Sequence, residues 1–272
     1  MYQIWLKRVK FLTLYFAEYL FRIMEKIRLS VISYLNTKPF LYGINNSEFI
    51  KENSEIEMDF PSACAEKVMS GKTDIGIVPV ALLSKLEKYR IISDYCISTD
   101  RKMPSVLLSS QVPLEKIKKV LLDNQSMTSV NLTKILIEKF WKISPETVDA
   151  NEGYENLISG TTAGVIIGDR ALLLSHQFEY NYDLSDEWFK FTGLPFVFAC
   201  WVSTKEIDSN YIREFNKALH FGLENIPLVA AKEAKNEKYK NIDMLKYLDR
   251  DLNFHLDDKK REAMKRYLNF LK

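Results

Sequence analysis

The 272-residue sequence predicts an α/β protein of two lobes, the second inserted into the first, with a ligand cleft between them. Three observations predict this class. Short β-rich apolar runs alternate with helical patterns through most of the chain, and that rhythm restarts near Lys118. A long apolar run, "LPFVFACWVS", then comes late enough to return to the first sheet. The expected divisions are 24–110 with 196–272 for the first lobe and 111–195 for the second; residues 1–23 are set aside as an extension outside the fold.

The first lobe opens with "IRLSVIS" as a strand, the turn "SYLNTKPF", and a helical stretch from about Pro39. "EIEMDF" is the next strand, and "SACAEKVMSG" reads as a helix closed by Gly71. "TDIGIVPV" is a third strand entering "ALLSKLEKY", and "YRIISDYCIS" and "SVLLSS" follow as further strands. This order predicts a mainly parallel sheet covered by helices on both faces. In the second lobe "KKVLLDN" is a strand. "SMTSVNLTKILIEKFW" is a helix with Leu132, Ile135, Leu136 and Phe140 on one face. "TTAGVIIGDRALLLSH" repeats the plan as strand, Gly-Asp turn and helix. Beyond the returning strand, "NYIREFNKALHFGLENI" and "DKKREAMKRYLNFLK" read as amphipathic helices flanking a shorter one near Met244.

Composition narrows the function classes. With 47% hydrophobic and 27% charged residues, the chain is an ordinary globular protein. The net charge of +2 is concentrated before Met24, where Lys7, Arg8, Lys10 and Arg22 oppose only Glu18. No basic footprint for nucleic acid remains. The uncharged run Phe11–Ala17 is far short of a membrane span, and it lacks the long apolar core and small-residue cleavage site of an export signal. Cys64, Cys96 and Cys200 are odd in number and widely spaced, and His176, His220 and His255 are equally scattered. Neither a disulfide framework nor a zinc site is expected, and a reducing cytoplasm fits best. The sequence specifies no oligomeric state.

Nucleotide, dinucleotide, serine-hydrolase and zinc-protease fingerprints are all missing from the sequence. What recurs is a strand ending in small polar residues that open a helix: "SYLNTKPF", "DNQSMTSV" with Ser126, Thr128 and Ser129, and "IIGDRALL" with Asp169. Each is also a plain helix start, with Asn36 or Thr37 as N-cap ahead of Pro39 in the first of them. Three such clusters at the carboxyl ends of strands form the usual ligand-facing edge of an α/β sheet. Helix N-termini hold carboxylates through unpaired N–H groups, so the expected ligand is a small anion.

Six stretches resemble, in order, the menaquinone-pathway chorismate dehydratases of the futalosine route. They are "ISYLNTKPF", "TDIGIVPVALL", "SVLLSS", "LDNQSMTSVNLTKILI", "IIGDRALL" and "DLSDEWFKFTGLPFVFACWV", spanning most of 27–202. The sister enzyme that cleaves the cyclic futalosine product opens with a Ser-Pro-Cys-Pro-Asn-Asp type segment, which "SYLNTKPF" is not. The resemblance implies a type II periplasmic-binding-protein-like fold used as an enzyme, with chorismate as substrate and neither metal nor cofactor.

The resemblance also distributes roles. Asn36 is the expected catalytic or substrate-orienting residue, since its amide can donate to a leaving hydroxyl or a developing enolate and can also accept. Ser105, at the expected hinge, would donate to one carboxylate, and Thr128 and Ser129 would hold the other. Ser33 and Asp169 would line the cleft, Asp169 having the alternative of capping its own helix. Two other readings use the same scaffold. A transport receptor would carry an export signal, and a ligand-sensing regulator would carry a basic helix-turn-helix.

Overall fold

The computed structural model describes residues 26–151 and 153–272, so the expected extension at 1–23 lies outside the described residues. Among the described residues eleven strands run in chain order: β1 (Ile27–Ile32), β2 (Ser54–Asp59), β3 (Ile75–Pro79), β4 (Arg90–Thr99), β5 (Val106–Ser110), β6 (Lys119–Asp123), β7 (Glu146–Ala150), β8 (Thr162–Ile167), β9 (Tyr180–Asp183), β10 (Phe196–Ser203) and β11 (Asn253–His255). They form a six-stranded sheet of order β11-β4-β10-β3-β1-β2 and a five-stranded sheet of order β7-β6-β8-β5-β9. The helices are α1 (Lys38–Asn46), α2 (Glu48–Asn53), α3 (Pro61–Met69), α4 (Met127–Ile135), α5 (Gly168–Leu174), α6 (Leu184–Thr192), α7 (Ser209–Glu224), α8 (Ile226–Glu233), α9 (Met244–Lys246) and α10 (Asp258–Asn269).

Both sheets are mixed rather than mainly parallel. β1 pairs parallel with β2 and β3, and β6 with β7 and β8. The returning strand β10 instead runs antiparallel between β3 and β4, and β5 runs antiparallel to β8 and β9. All eight residues of β10 are buried, as a central strand covered on both faces requires.

"SVLLSS" does not belong where the sequence reading puts it. Val106 pairs with Ile167 of β8, and Leu107 pairs with Asp183 of β9, so this strand lies in the second sheet. The second sheet therefore starts at Val106 instead of after residue 110, and the crossing between sheets is the stretch before it. The physical reason is the demand of its two faces. Leu107 joins Leu121, Ile166 and Tyr154 in a small outer cluster, while Val106 and Leu108 point into the main core. Two other expectations shorten. "ALLSKLEKY" keeps only a 3-10 turn, Val80–Ser84, and the helix expected up to Trp141 is α-helical to Ile135 and then continues in π-type turns over Leu136–Trp141. Leu132, Ile135 and Leu136 are buried and Phe140 is half-buried, so the apolar face itself lies where the periodicity puts it.

The return crossing is braced by aromatic packing. Trp188 of α6 is fully buried and donates from Nε1 to Pro195 O at 3.1 Å. Its ring meets Phe196 and Tyr267 edge-on, with centroids 5.4 and 6.2 Å away, which ties α6 to α10.

Candidate active site

"SYLNTKPF" leaves β1 and folds at once into a 3-10 turn, Leu35–Thr37, that runs into α1. Pro39 sits in the first turn of α1, where its missing N–H has no intrahelical partner to lose. Thr37 occupies the N-cap position, yet its hydroxyl turns backwards to donate to Ile32 O at 2.5 Å and Tyr34 O at 2.8 Å. Asn36 is therefore neither cap nor brace. Among the described residues its Oδ1 is buried and has no hydrogen-bond partner. A buried acceptor left unpaired by the fold is costly unless something else uses it.

Two contacts seat this turn on the second lobe. Tyr34 donates from its hydroxyl to Gln125 Oε1 at 3.0 Å, and Leu35 N–H donates to Asp169 Oδ1 at 3.0 Å. Gly168 makes room for the first. Its φ of +61° suits glycine, and a Cβ there would lie 3.1 Å from the Tyr34 ring. Burial in this position pushes the Tyr34 phenol up to about 12.

Beside Gln125, Ser126 caps α4 by accepting from Ser129 N–H, and its hydroxyl donates to Ser129 Oγ at 2.8 Å. The N–H groups of Met127 and Thr128 have no protein acceptor among the described residues, which leaves the positive end of α4 open. The Thr128 side chain is engaged within the fold. Its hydroxyl accepts from Ala81 N–H at 3.1 Å and donates to Phe198 O at 3.2 Å, so the side chain stitches α4 to the first lobe. Its backbone N–H, not its hydroxyl, is what remains for an anion.

Ser105 ends the forward crossing. Its carbonyl accepts from Gly168 N–H at 2.7 Å, and its buried hydroxyl lies 2.9 Å from the Tyr247 hydroxyl, which donates to it. Asp169 does not cap its own helix, since Ile167 holds that position without a side-chain bond. Its second oxygen accepts from the Tyr239 hydroxyl at 2.9 Å. Ser33 is exposed, with its N–H donating to Asp59 O at 2.9 Å.

The structure thus brings the Asn36 turn, Ser105, the start of α4 and Asp169 to one seam between the lobes. Sequence reasoning missed Gln125, Arg170, Tyr239 and Tyr247. Arg170 stands next to Asp169 but is occupied: it donates to Asp123, to Glu155 at 2.5 Å and to Gln125 at 3.4 Å. Burial pushes the Asp123 carboxyl up, and the guanidinium pulls against it. The Arg170 guanidinium is thus committed to partners within the second lobe. Among the described residues no three His, Cys, Asp or Glu side chains converge as metal ligands. A cavity of about 310 Å³ along α4, lined by Ala81, Met127, Asn131 and Phe270, includes none of the six expected site residues.

Comparison with known proteins places the chain in a family. Two curated chorismate dehydratases are similar to the chain. That of Thermus thermophilus is 26% identical over 231 residues, covering 78% of this chain and 84% of the relative. That of Campylobacter jejuni is 26% identical over 253 residues, covering 89% and 96%. Among solved structures, an Archaeoglobus fulgidus protein superposes with a TM-score of 0.68 at 14% identity, covering 90% of this chain and 96% of that one. The periplasmic aliphatic sulphonate binding protein of Escherichia coli gives 0.56 at 13% identity, covering 91% and 86%. Those likenesses are of fold, and the fold is the two-lobed periplasmic-binding-protein-like one. The family model for menaquinone biosynthesis matches residues 27–272, and the chain belongs to that family.

Proposed function

We propose that the chain is a chorismate dehydratase, a carbon–oxygen lyase that converts chorismate to 3-[(1-carboxyvinyl)oxy]benzoate and water in menaquinone biosynthesis by the futalosine route. Family membership and the names of the two curated relatives support the substrate. The observation that carries the reading is the buried, unpaired Oδ1 of Asn36 at the lobe seam.

The chemistry suits a site of this kind. Elimination removes the ring hydroxyl and the hydrogen on the ether-bearing carbon. The ring carboxylate acidifies that hydrogen vinylogously, and the ring gains aromaticity. Orientation and charge stabilisation then matter more than a strong base. The unpaired Oδ1 of Asn36 accepts from the ring hydroxyl and orients the ring, while its Nδ2 donates to the developing enolate. The Ser105 hydroxyl, already accepting from Tyr247, keeps its own proton to donate to one carboxylate. The open N–H groups of Met127 and Thr128, with Ser129 beside them, take the other. The substrate's enolpyruvyl carboxylate, held near the ring hydrogen, accepts the proton. Three free and buried cysteines suit a cytoplasmic setting.

The test is incubation of the purified chain with chorismate and chromatographic detection of the aromatic product. Chorismate that binds but stays intact would favour a solute-binding protein on the same fold.

A further inference from the structure

We infer that Asp169 is a positioning residue rather than a substrate ligand: it latches the two lobes together and thereby sets the turn that carries Asn36. This rests on the chorismate reading for its activity measurements, and on geometry for everything else.

Both oxygens of the Asp169 carboxylate are taken by donors of the first lobe. Oδ1 accepts from Leu35 N–H at 3.0 Å and Oδ2 from the Tyr239 hydroxyl at 2.9 Å. Leu35 provides the opening N–H of the 3-10 turn, and Tyr34, at its N-cap, offers no side-chain cap. The cap comes instead from 134 residues away, in the other lobe. Leu35 is fully buried, so parting the lobes would strip its N–H of a charge-assisted partner. The turn is accordingly held in one orientation only when the lobes meet. Asn36 is the next residue, and its Oδ1 is left for another partner.

The charge argument points the same way. A free carboxylate lining the pocket of a dianion would repel it. Asp169 has its negative charge spread over two donors, one of them at the positive end of the short turn. Closure and preorganisation of Asn36 become one event, coupled through a single side chain.

Three single variants, Asp169→Ala, Asp169→Asn and Tyr239→Phe, and the double variant of the first and last test this, each measured as kcat and KM on folded protein, with amide exchange at Leu35 as a second readout. Tyr239→Phe removes one hydroxyl from the latch and nothing from the substrate. It should lower kcat on the order of tenfold with KM little changed. Asp169→Ala should lower kcat on the order of 100-fold, and adding Tyr239→Phe to it should lower kcat no further. Asp169→Asn retains one acceptor oxygen and should fall between alanine and wild type. Leu35 exchange should speed up in the same order. Wild-type kcat in Tyr239→Phe, or an Asp169→Asn as dead as Asp169→Ala, would overturn the latch. Tighter substrate binding in Asp169→Ala with kcat unchanged would return the residue to the pocket wall. An inactive wild type counts against the chorismate reading alone. The latch then stands or falls on Leu35 exchange, which must accelerate in Tyr239→Phe.

Discussion

Gly43 of α1 and Gly222 of α7 lie backbone against backbone where the two helices cross. A Cβ on Gly43 would fall 1.8 Å from Ala218 O, and one on Gly222 would fall 1.9 Å from Pro39 O. Neither clash can be relieved by a side-chain rotation, because the obstructing atoms are main chain. Gly43→Ala or Gly222→Ala should therefore destabilise by about 3 kcal/mol or more. Since α1 begins directly after the Asn36 turn, activity should fall as well. Gly71→Ala is the control. Its φ is +69° with nothing within 4 Å of the added atom, so only strain of about 1 kcal/mol should appear in denaturant melts.

Asn36 separates chemistry from architecture. Its amide caps nothing, so Asn36→Ala should change stability by less than about 1 kcal/mol. Turnover of chorismate should drop by about 100-fold or more, as when a preorganised donor is lost. Asn36→Asp should fold equally well and be impaired at least as badly, since it sets a negative charge beside a dianion. Near-normal turnover by either variant would leave the residue without a role in the reaction.

Gly168→Ala should loosen the seam. The substitution strains a φ of +61° and drives a methyl against the Tyr34 ring. We expect a stability loss of about 1–2 kcal/mol, faster amide exchange at Leu35, and a partial recovery of both in the double variant with Tyr34→Ala. Unchanged exchange at Leu35 would show that Tyr34 and Asp169 act independently.

Asp183 gives the fold a dependence on acid. It caps α6, accepts from Met103 N–H at 2.6 Å, and burial pushes its carboxyl up to about 6. The native state then holds a proton between the ordinary carboxylate range and pH 6 that the unfolded chain has released. This contribution to stability accordingly declines as pH rises through that window and levels off above it. Comparing wild type with Asp183→Asn by chemical denaturation from pH 4 to 7 should show the wild-type advantage shrinking as pH rises. A gap that widens over that range would reverse the assignment.

How much was legible follows from which residues carry their signal locally. Strands β3, β8 and β10 are buried almost throughout and read as nearly continuous apolar runs, and β1 and β6 carry two polar residues each. "ETVDA" and "YNYD" lie at the two edges of the second sheet, are largely exposed or half-buried, and show no such run. β5 is visible as a strand, but its neighbours are decided by partners 55 to 76 residues away. Helix α6 had a usable signal: Asp183 accepts from Ser185 and Asp186 N–H, the pattern of an N-cap before acidic residues. The polar clusters at strand ends hold Asn36, Thr128, Ser129 and Asp169, whereas Ser105 enters only through the family resemblance. That Asp169 answers to Leu35 and Tyr239, and Thr128 to Ala81 and Phe198, belongs to tertiary packing alone.

The place of β10 between β3 and β4 also orders events during synthesis. The second sheet draws all its strands from residues 106–183, one uninterrupted stretch. The first sheet cannot close, because β3 and β4 do not pair with each other and await a strand that begins at Phe196. As the nascent chain leaves the ribosome, the inserted lobe can finish its sheet while the lobe translated before it still exposes two apolar strand edges. The earlier-made half is thus the later-folding one, and the interval before Phe196 emerges is when a chaperone has most to cover.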